Sequence, residues 1–349
     1  EFRRVLFRSS WQKTTMKNIG LDFYLLSDRI SGSFDFFRND ITRLLGYAST
    51  SPLAIYETRP VNGGHYYRRG WELMLDTKNI VGEFTWDTSL TFSKTNSFWK
   101  ERLPNYDYQI YQKRENEPMN AYYYYNVTGI INTDRSNMPE SQKSLQAEAQ
   151  LPGCPIIEDK NKDGKIDEND IYMKDNSPAV YVGFGNTFTY KNFEFSFFMY
   201  GQFGIQKYNI AYSAAQAGPL AVDYPENSNK FAYRLWNSQT NPNGSRPGLA
   251  IGKMGALPGN AWVNTDMENA SFMRMRNITL AYNLTGNLLG SLQRYVRNIK
   301  VYVDAQNPFI LTKFQGFDPE IYTGGGGASG GSRGEYPQTR TFSLGANIT

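Results

Sequence analysis

The sequence predicts an all-β protein, about nine strands forming an antiparallel portion of a transmembrane β-barrel, and three observations point there. Apolar and polar residues alternate with period two in segment after segment. The connections between those segments alternate in length, short then long. Aromatic residues are abundant, with 25 Tyr, 22 Phe and 6 Trp among 349 residues, a supply that the interfacial girdles of a barrel would use.

The alternation is clearest between Phe84 and Ser93, where Phe84, Trp86, Leu90 and Phe92 oppose Thr85, Asp87, Ser89, Thr91 and Ser93. Ile30, Gly32, Phe34 and Phe36 oppose Ser31, Ser33 and Asp35 in the same way. Val182, Phe184, Phe188 and Tyr190 face away from Gly183, Gly185, Thr187 and Thr189, and Phe193, Phe195, Phe197 and Met199 from Glu194 and Ser196. Ile278, Leu280, Tyr282 and Leu284, then Phe342, Leu344, Ala346 and Ile348, repeat the pattern towards the C-terminus. These segments give strands over roughly 18–26, 29–44, 65–78, 84–97, 179–191, 193–205, 272–284, 297–312 and 338–349. Short connections fall around Ser27-Asp28, Gly82-Glu83, Asn192 and 285–296. Long ones cover roughly 45–64, 98–178, 206–271 and 313–337, and transmembrane barrels place short turns on the periplasmic side and long loops outside. Alternation alone leaves a soluble β-sandwich open, since its strands are also apolar on one face. An even-stranded barrel needs more strands than these.

Bulk properties narrow the class. Lys and Arg number 37 against 33 Asp and Glu, so no basic stripe argues for nucleic acid. Mean hydropathy is −0.57, and no apolar run reaches the ~18 residues of a membrane helix. A single cysteine, Cys154, excludes an internal disulfide. A single histidine, His65, beside a Gly pair at a strand start, leaves little for a histidine metal site or a Ser-His-Asp triad. No phosphate-binding glycine loop follows a strand. Gly324 to Gly327, within TGGGGASGG, read as a loop tip. The opening stretch EFRRVLFRS is basic, has no initiator Met and no alternation, and residues 1–10 are expected to be a non-native leader.

Several stretches carry a family resemblance. EDKNKDGKIDENDI followed by SPAVYVGFGNTFTYKNFEFSFFMYGQFG, then ENASFMRMRNITLAYNL (Glu268–Leu284), VYVDAQNPFILTKFQGFDPEI (Val301–Ile321) and the closing EYPQTRTFSLGANIT occur in that order. Upstream, NIGLDF (Asn18–Phe23) and RRGWELML (Arg68–Leu75) are weaker matches. Together they resemble the late barrel of SusC/RagA-like TonB-dependent outer-membrane transporters. The resemblance implies that residues 11–349 are the C-terminal part of a barrel of roughly 22 strands, located in the outer membrane and surrounded by its lipid. It also implies a SusD-like lipoprotein as lid, coupling to TonB-ExbB-ExbD through a plug region that this stretch does not contain, and an oligosaccharide or peptide cargo. No enzymatic role is expected, because no acid/base pair or nucleophile with a partner base is in place.

One constellation is metal-like. Asp159, Asn161, Asp163, Lys165 (through its carbonyl), Asp167 and Asp170 fall at calcium-loop spacing, with Gly164 at the sharp turn. Calcium takes 6–8 hard oxygen ligands, so a structural Ca2+ is expected there, the alternative being an Asp/Asn/Gly turn held by its own hydrogen bonds. Weaker cargo-binding candidates are Tyr122, Tyr123, Tyr124, Trp236 and Trp262, with Tyr224, which either stack on sugar rings or pack the long loops. Arg274 and Arg276 are expected to pair with rim carboxylates, and Asp318-Pro319-Glu320 to form a loop-start turn. Active import is the leading function, with a passive porin-like channel and a soluble secreted glycan-binding module with a calcium loop as alternatives.

Overall fold

The computed structural model describes residues 10–49, 58–103, 109–112, 116–209, 234–248, 257–316, 318–320 and 338–349. The glycine run at 324–327, Tyr224 and all of the expected leader except Ser10 lie outside these residues. No helix among them is long and apolar enough to cross a membrane, which leaves crossing by strands untouched.

Nine strands form one wall: β1 (Lys13–Leu25), β2 (Ile30–Ser49), β3 (Thr58–Ile80), β4 (Phe84–Glu101), β5 (Val180–Tyr190), β6 (Phe193–Phe203), β7 (Phe272–Thr285), β8 (Asn298–Gln306) and β9 (Thr341–Ile348). Each pairs antiparallel with the next in chain order. The register sets whole rows of side chains on one face. Trp86, Phe188, Phe195, Leu280, Val303 and Leu344 are consecutive cross-strand partners. One residue along, Asp87, Thr187, Ser196, Thr279, Asp304 and Ser343 form the next row. Because side chains alternate sides at each step, one face of the wall is an apolar belt and the other is polar. Aromatic contacts bind the belt, with Trp86 on Phe188 (centroids 5.7 Å) and Phe193 edge-on to Tyr282 (4.6 Å). On the polar face Lys300 Nζ sits 2.9 Å from both oxygens of Glu194.

The belt has no protein cover among the described residues. Leu280 is 49% exposed and Phe195 38%, and the edge-strand residues Phe342 and Leu344 more so. Each such side chain left in water forfeits about 1.5–3 kcal/mol of burial, whereas lipid satisfies it. The buried apolar cluster lies instead in the long connections, so among the described residues no second sheet packs on the belt, as a soluble sandwich requires. Among the described residues both outermost strands, β1 and β9, have a single partner. An open edge with unpaired N–H and C=O groups is untenable in hydrocarbon, so this wall is part of a larger closed barrel.

Two boundaries differ from the sequence pattern. Within 45–64, expected as a loop, residues 45–49 and 58–64 extend the β2–β3 hairpin, which pairs as far as Ser49 opposite Thr58. Gly46, Gly63, Gly64 and Pro60 mask the alternation there, and Arg43 and Gly64 take positive φ where the ladder skips a pair. The strand expected over 297–312 breaks after Gln306. Asn307 has φ 49° and Pro308 has no N–H, so the chain steps out and resumes at Ile310–Thr312, paired to the upper end of β7.

Candidate functional site

The described residues of the connections 102–179 and 204–271 build a folded cap rather than two separate loops. Strand Ala121–Tyr125 pairs antiparallel with Tyr172–Asp175 and parallel with Trp262–Val263, joining both connections in one small sheet. A second ribbon pairs Val127–Ile130 with Pro155–Ile157. Between them lie Tyr125, Ile131, Ile157, Ile171 and Val263, all buried. Polar contacts tie the two connections: the Tyr125 hydroxyl donates to the carbonyls of Asp167 (3.0 Å) and Pro258 (3.1 Å), and Tyr111 to that of Gly259 (2.7 Å). Burial, reinforced by Asp170, Glu168 and Asp167, pushes the Tyr125 phenol far above its ordinary range. Cys154 is also enclosed, its Sγ 3.2 Å from the Glu148 carbonyl, and burial pushes its thiol up to about 11.

The cap stands on the wall at its long-connection end. Backbone bonds from Trp99 N to Glu117 O and from Met119 N to Ser97 O (2.8 Å each) extend the top of β4. Glu117, fully buried, is held by Arg102 at 2.8 Å. Where the polar face of β3–β5 meets this junction lies a cleft of about 650 Å³, within the usual ligand-pocket range. Arg68, Glu72, Ser97 and Tyr181 line it from the wall, and Met119 and Ser177 from the cap. Arg68 and Glu72 are exposed, and among the described residues neither forms an ion pair, so the cleft offers one free charge of each sign.

The predicted aromatic candidates separate into three environments. Tyr122 and Tyr124 stack at 5.1 Å, and Tyr124 stacks on Tyr172 at 5.7 Å. Trp262 is the register partner of Tyr124, so these four residues share one half-buried face of the small sheet. Tyr123 points to the opposite face, against Tyr111 (5.0 Å) and the cap core. Trp236 is elsewhere, its ring over Gly153, with the neighbouring chain fastened by a Gly248 N–H to Gly153 carbonyl bond (2.9 Å). Tyr172 was not a sequence candidate. Its signal was the period-two step of Ile171 and Met173 against Tyr172 and Lys174. Lys160 Nζ sits 4.5 Å from the Tyr172 ring centre, and the Tyr172 hydroxyl donates to Glu158 (3.1 Å).

In the Asp159–Asp170 loop the oxygens accept bonds from the loop's own backbone. Asp159 Oδ1 and Oδ2 take the N–H groups of Asp163 (3.2 Å) and Gly164 (2.9 Å). Asp163 Oδ1 takes that of Lys165 (3.1 Å), and Asp167 Oδ1 that of Asn169 (2.8 Å). Asp170, fully buried, takes Lys160 N (2.9 Å) and Asp167 N (2.8 Å). Among the described residues no three His, Cys, Asp or Glu side chains are grouped closely enough to hold a metal. The donor set nevertheless suits a hard cation, being carboxylates and an amide, with Asn161 and Asp163 exposed and Asp159 half-buried.

A barrel wall with an uncovered apolar belt and a folded cap defines part of an outer-membrane β-barrel protein. Comparison with known proteins agrees. No family model matches. The chain is 26% identical over 359 residues to TonB-dependent receptor P3 of Formosa agariphila, spanning 97% of this chain and 34% of that receptor. It is 28% identical over 347 residues to TonB-dependent receptor SusC of Bacteroides thetaiotaomicron, spanning 97% and 32%. The structure of the RagAB peptide importer in its closed-closed state superposes with TM-score 0.72 at 18% identity, over 97% of this chain and 35% of that one. The chain therefore spans about a third of the length of the relatives it matches, and the SusC/RagA-like resemblance seen in its motifs runs along 97% of it.

Proposed function

We propose that this chain supplies wall and external cap to an active importer of oligosaccharides or peptides. The observation that carries this reading is the cleft at the junction of polar wall and cap, with Arg68, Glu72 and Tyr181 presented to it. In this reading the long connections (98–178 and 206–271 in the sequence pattern) are extracellular and the short turns periplasmic. Cargo meets the cap, where Tyr122, Tyr124, Tyr172 and Trp262 offer ring faces for stacking, and a SusD-like lipoprotein closes over it. TonB-ExbB-ExbD then acts on a plug outside this chain to open the path. No bond in the cargo is made or broken, so the protein is not an enzyme. The likeness to SusC, a TonB-dependent receptor, and to RagAB, a peptide importer, supports both the energy coupling and the partner. Calcium in the Asp159–Asp170 loop would brace the cap, a role resting on ligand spacing.

The test is uptake of labelled oligosaccharides and peptides by cells carrying the full-length transporter, with and without TonB. Uptake that stops without TonB supports active import. Uptake that persists would make the protein a passive porin-like channel.

A further inference from the structure

Above the aromatic belt, on its outward face, the register lines up cations. Lys17 pairs with Arg38, and Arg38 with Arg69. The row below is Ile19, Phe36, Trp71 and Lys94, and the row above is Thr15, Asp40, Tyr67 and Phe98. Alternation with Phe34, Phe36, Trp71 and Leu73 fixes all of them on the membrane-facing side. Both guanidinium groups lean away from the belt onto the upper row: Arg38 lies 4.5 Å from the Tyr67 ring centre and Arg69 5.3 Å from that of Phe98. This is how cationic side chains on a membrane surface reach the headgroup level.

Like charges directly opposed across strands destabilise a sheet unless something neutralises them. Within these three rows the only carboxylate is Asp40, and Arg38 takes it at 3.0 Å. Lys17 and Arg69 are exposed and form no ion pair among the described residues. Asp175, near the β4 end of the row, is engaged by Asn96 Nδ2 (3.0 Å) and Ser177 N (2.8 Å). One row higher, Lys13 and Glu101 balance each other in sign.

We propose that Lys17, Arg38 and Arg69 form a binding site for the phosphorylated headgroup of a lipid in the leaflet at the long-connection end of the barrel. A phosphate offers several acceptor oxygens to forked guanidinium donors and supplies the charge that the row lacks. The aromatic shelf of Tyr67 and Phe98 holds the donors at that level, and the belt beneath receives the acyl chains. The site rests on the barrel reading and not on transport. A TonB-dependence result therefore leaves it untouched, and its own failure leaves transport untouched.

The experiment uses the full-length transporter, assembled and checked for folding by heat-modifiable gel mobility. It is exchanged into nanodiscs of phosphatidylcholine with or without lipid A, and bound lipid is counted by native mass spectrometry. Arg69→Gln is expected to lower lipid A retention by about fivefold, the effect of one cation near an anionic surface. Arg69→Lys should largely restore it. Arg68→Gln, one residue along and facing the lumen, should leave it unchanged. The proposal is overturned if Arg68→Gln and Arg69→Gln lose lipid equally, if neither does, or if inorganic phosphate alone displaces the lipid completely.

Discussion

The Nη2 of Arg274 sits 2.7 Å from both carboxylate oxygens of Asp318, while its Nε reaches Glu320. Tyr200 donates to the same Glu320 at 2.5 Å. Arg274 on β7 and Tyr200 on β6 thereby fasten the segment around Asp318 to the top of the wall. Both Arg274 and Asp318 are buried, 3% and 8% exposed. Removing one partner from such a pair strands a charge, and Asp318→Ala is expected to cost about 3 kcal/mol, the low end because Glu320 remains. An Arg274→Met, Asp318→Leu double variant should lie closer to the parent than Asp318→Ala does. Urea midpoints of the refolded full-length protein would show this. A double variant worse than the sum of the single changes would mean the pair does more than neutralise charge.

The facing of the wall makes a second prediction. Arg at outward Leu280 is expected to destabilise by about 2–4 kcal/mol near the midplane. Arg at Thr279, one residue away, should cost about 1 kcal/mol: it loses the 2.7 Å bond from Thr279 Oγ1 to Asp304 but gains a carboxylate partner. Comparable losses at the two positions in folding titrations would contradict the assigned faces.

The wall was legible because its signal is local. Period-two patterning in ten residues is enough to find β4 or β6 and to choose which side chains share a face. Asn186 is the instructive exception. It occupies an outward position between Thr88 and Phe197, where its Oδ1 accepts from Trp86 Nε1 (2.7 Å) and Thr88 Oγ1 (2.8 Å). Those partners lie about a hundred residues earlier, so no window of sequence shows why a polar group is tolerated there. The cap was hidden for the same reason. Tyr125, Ile171 and Val263 come from three separate segments, none with enough apolar residues to announce a core alone. Of the aromatic candidates, Tyr122 and Tyr124 do share a face with Trp262, but only the register brings Tyr172 to them and sends Tyr123 to the other side.

The Asp159–Asp170 loop makes a third prediction. Asp159 and Asp163 spend their carboxylates on backbone N–H groups, an arrangement stable as a polar turn, while their ligand spacing is that of a calcium loop. With calcium, Asp163→Ala removes a ligand and should weaken binding in calorimetric titration of the full-length protein. Lys162→Asn should leave binding intact, because Lys162 has φ 60°, which Asn tolerates, and its side chain has no ligand role. Absence of calcium uptake, or equal behaviour of the two variants, would leave the loop a hydrogen-bonded turn.

The cap makes the last prediction, through Cys154 and Tyr125. Both folded-state values are raised by burial, Cys154 to about 11 and Tyr125 further. A raised value means that the folded cap holds the proton more tightly than the unfolded chain does. The contribution of Cys154 is thus fully present below its ordinary thiol value of 9.0 and is lost as pH climbs through about 11. Tyr125 adds the same trend starting from 10.0. Cap stability should therefore be flat through neutral pH as far as these groups are concerned, and decline in strong alkali. Alkylation of Cys154 reports opening directly, because only the exposed thiolate reacts. Tyr125→Phe deprives the Asp167 and Pro258 carbonyls of their donor, at about 1–3 kcal/mol. That raises the open population, and with it the alkylation rate at pH 8, by roughly 5- to 150-fold. Iodoacetamide labelling of the full-length transporter, with any other cysteines replaced, gives the rates. Fast labelling of the parent at pH 8, or no acceleration in Tyr125→Phe, would show that the two connections do not fold as one cap.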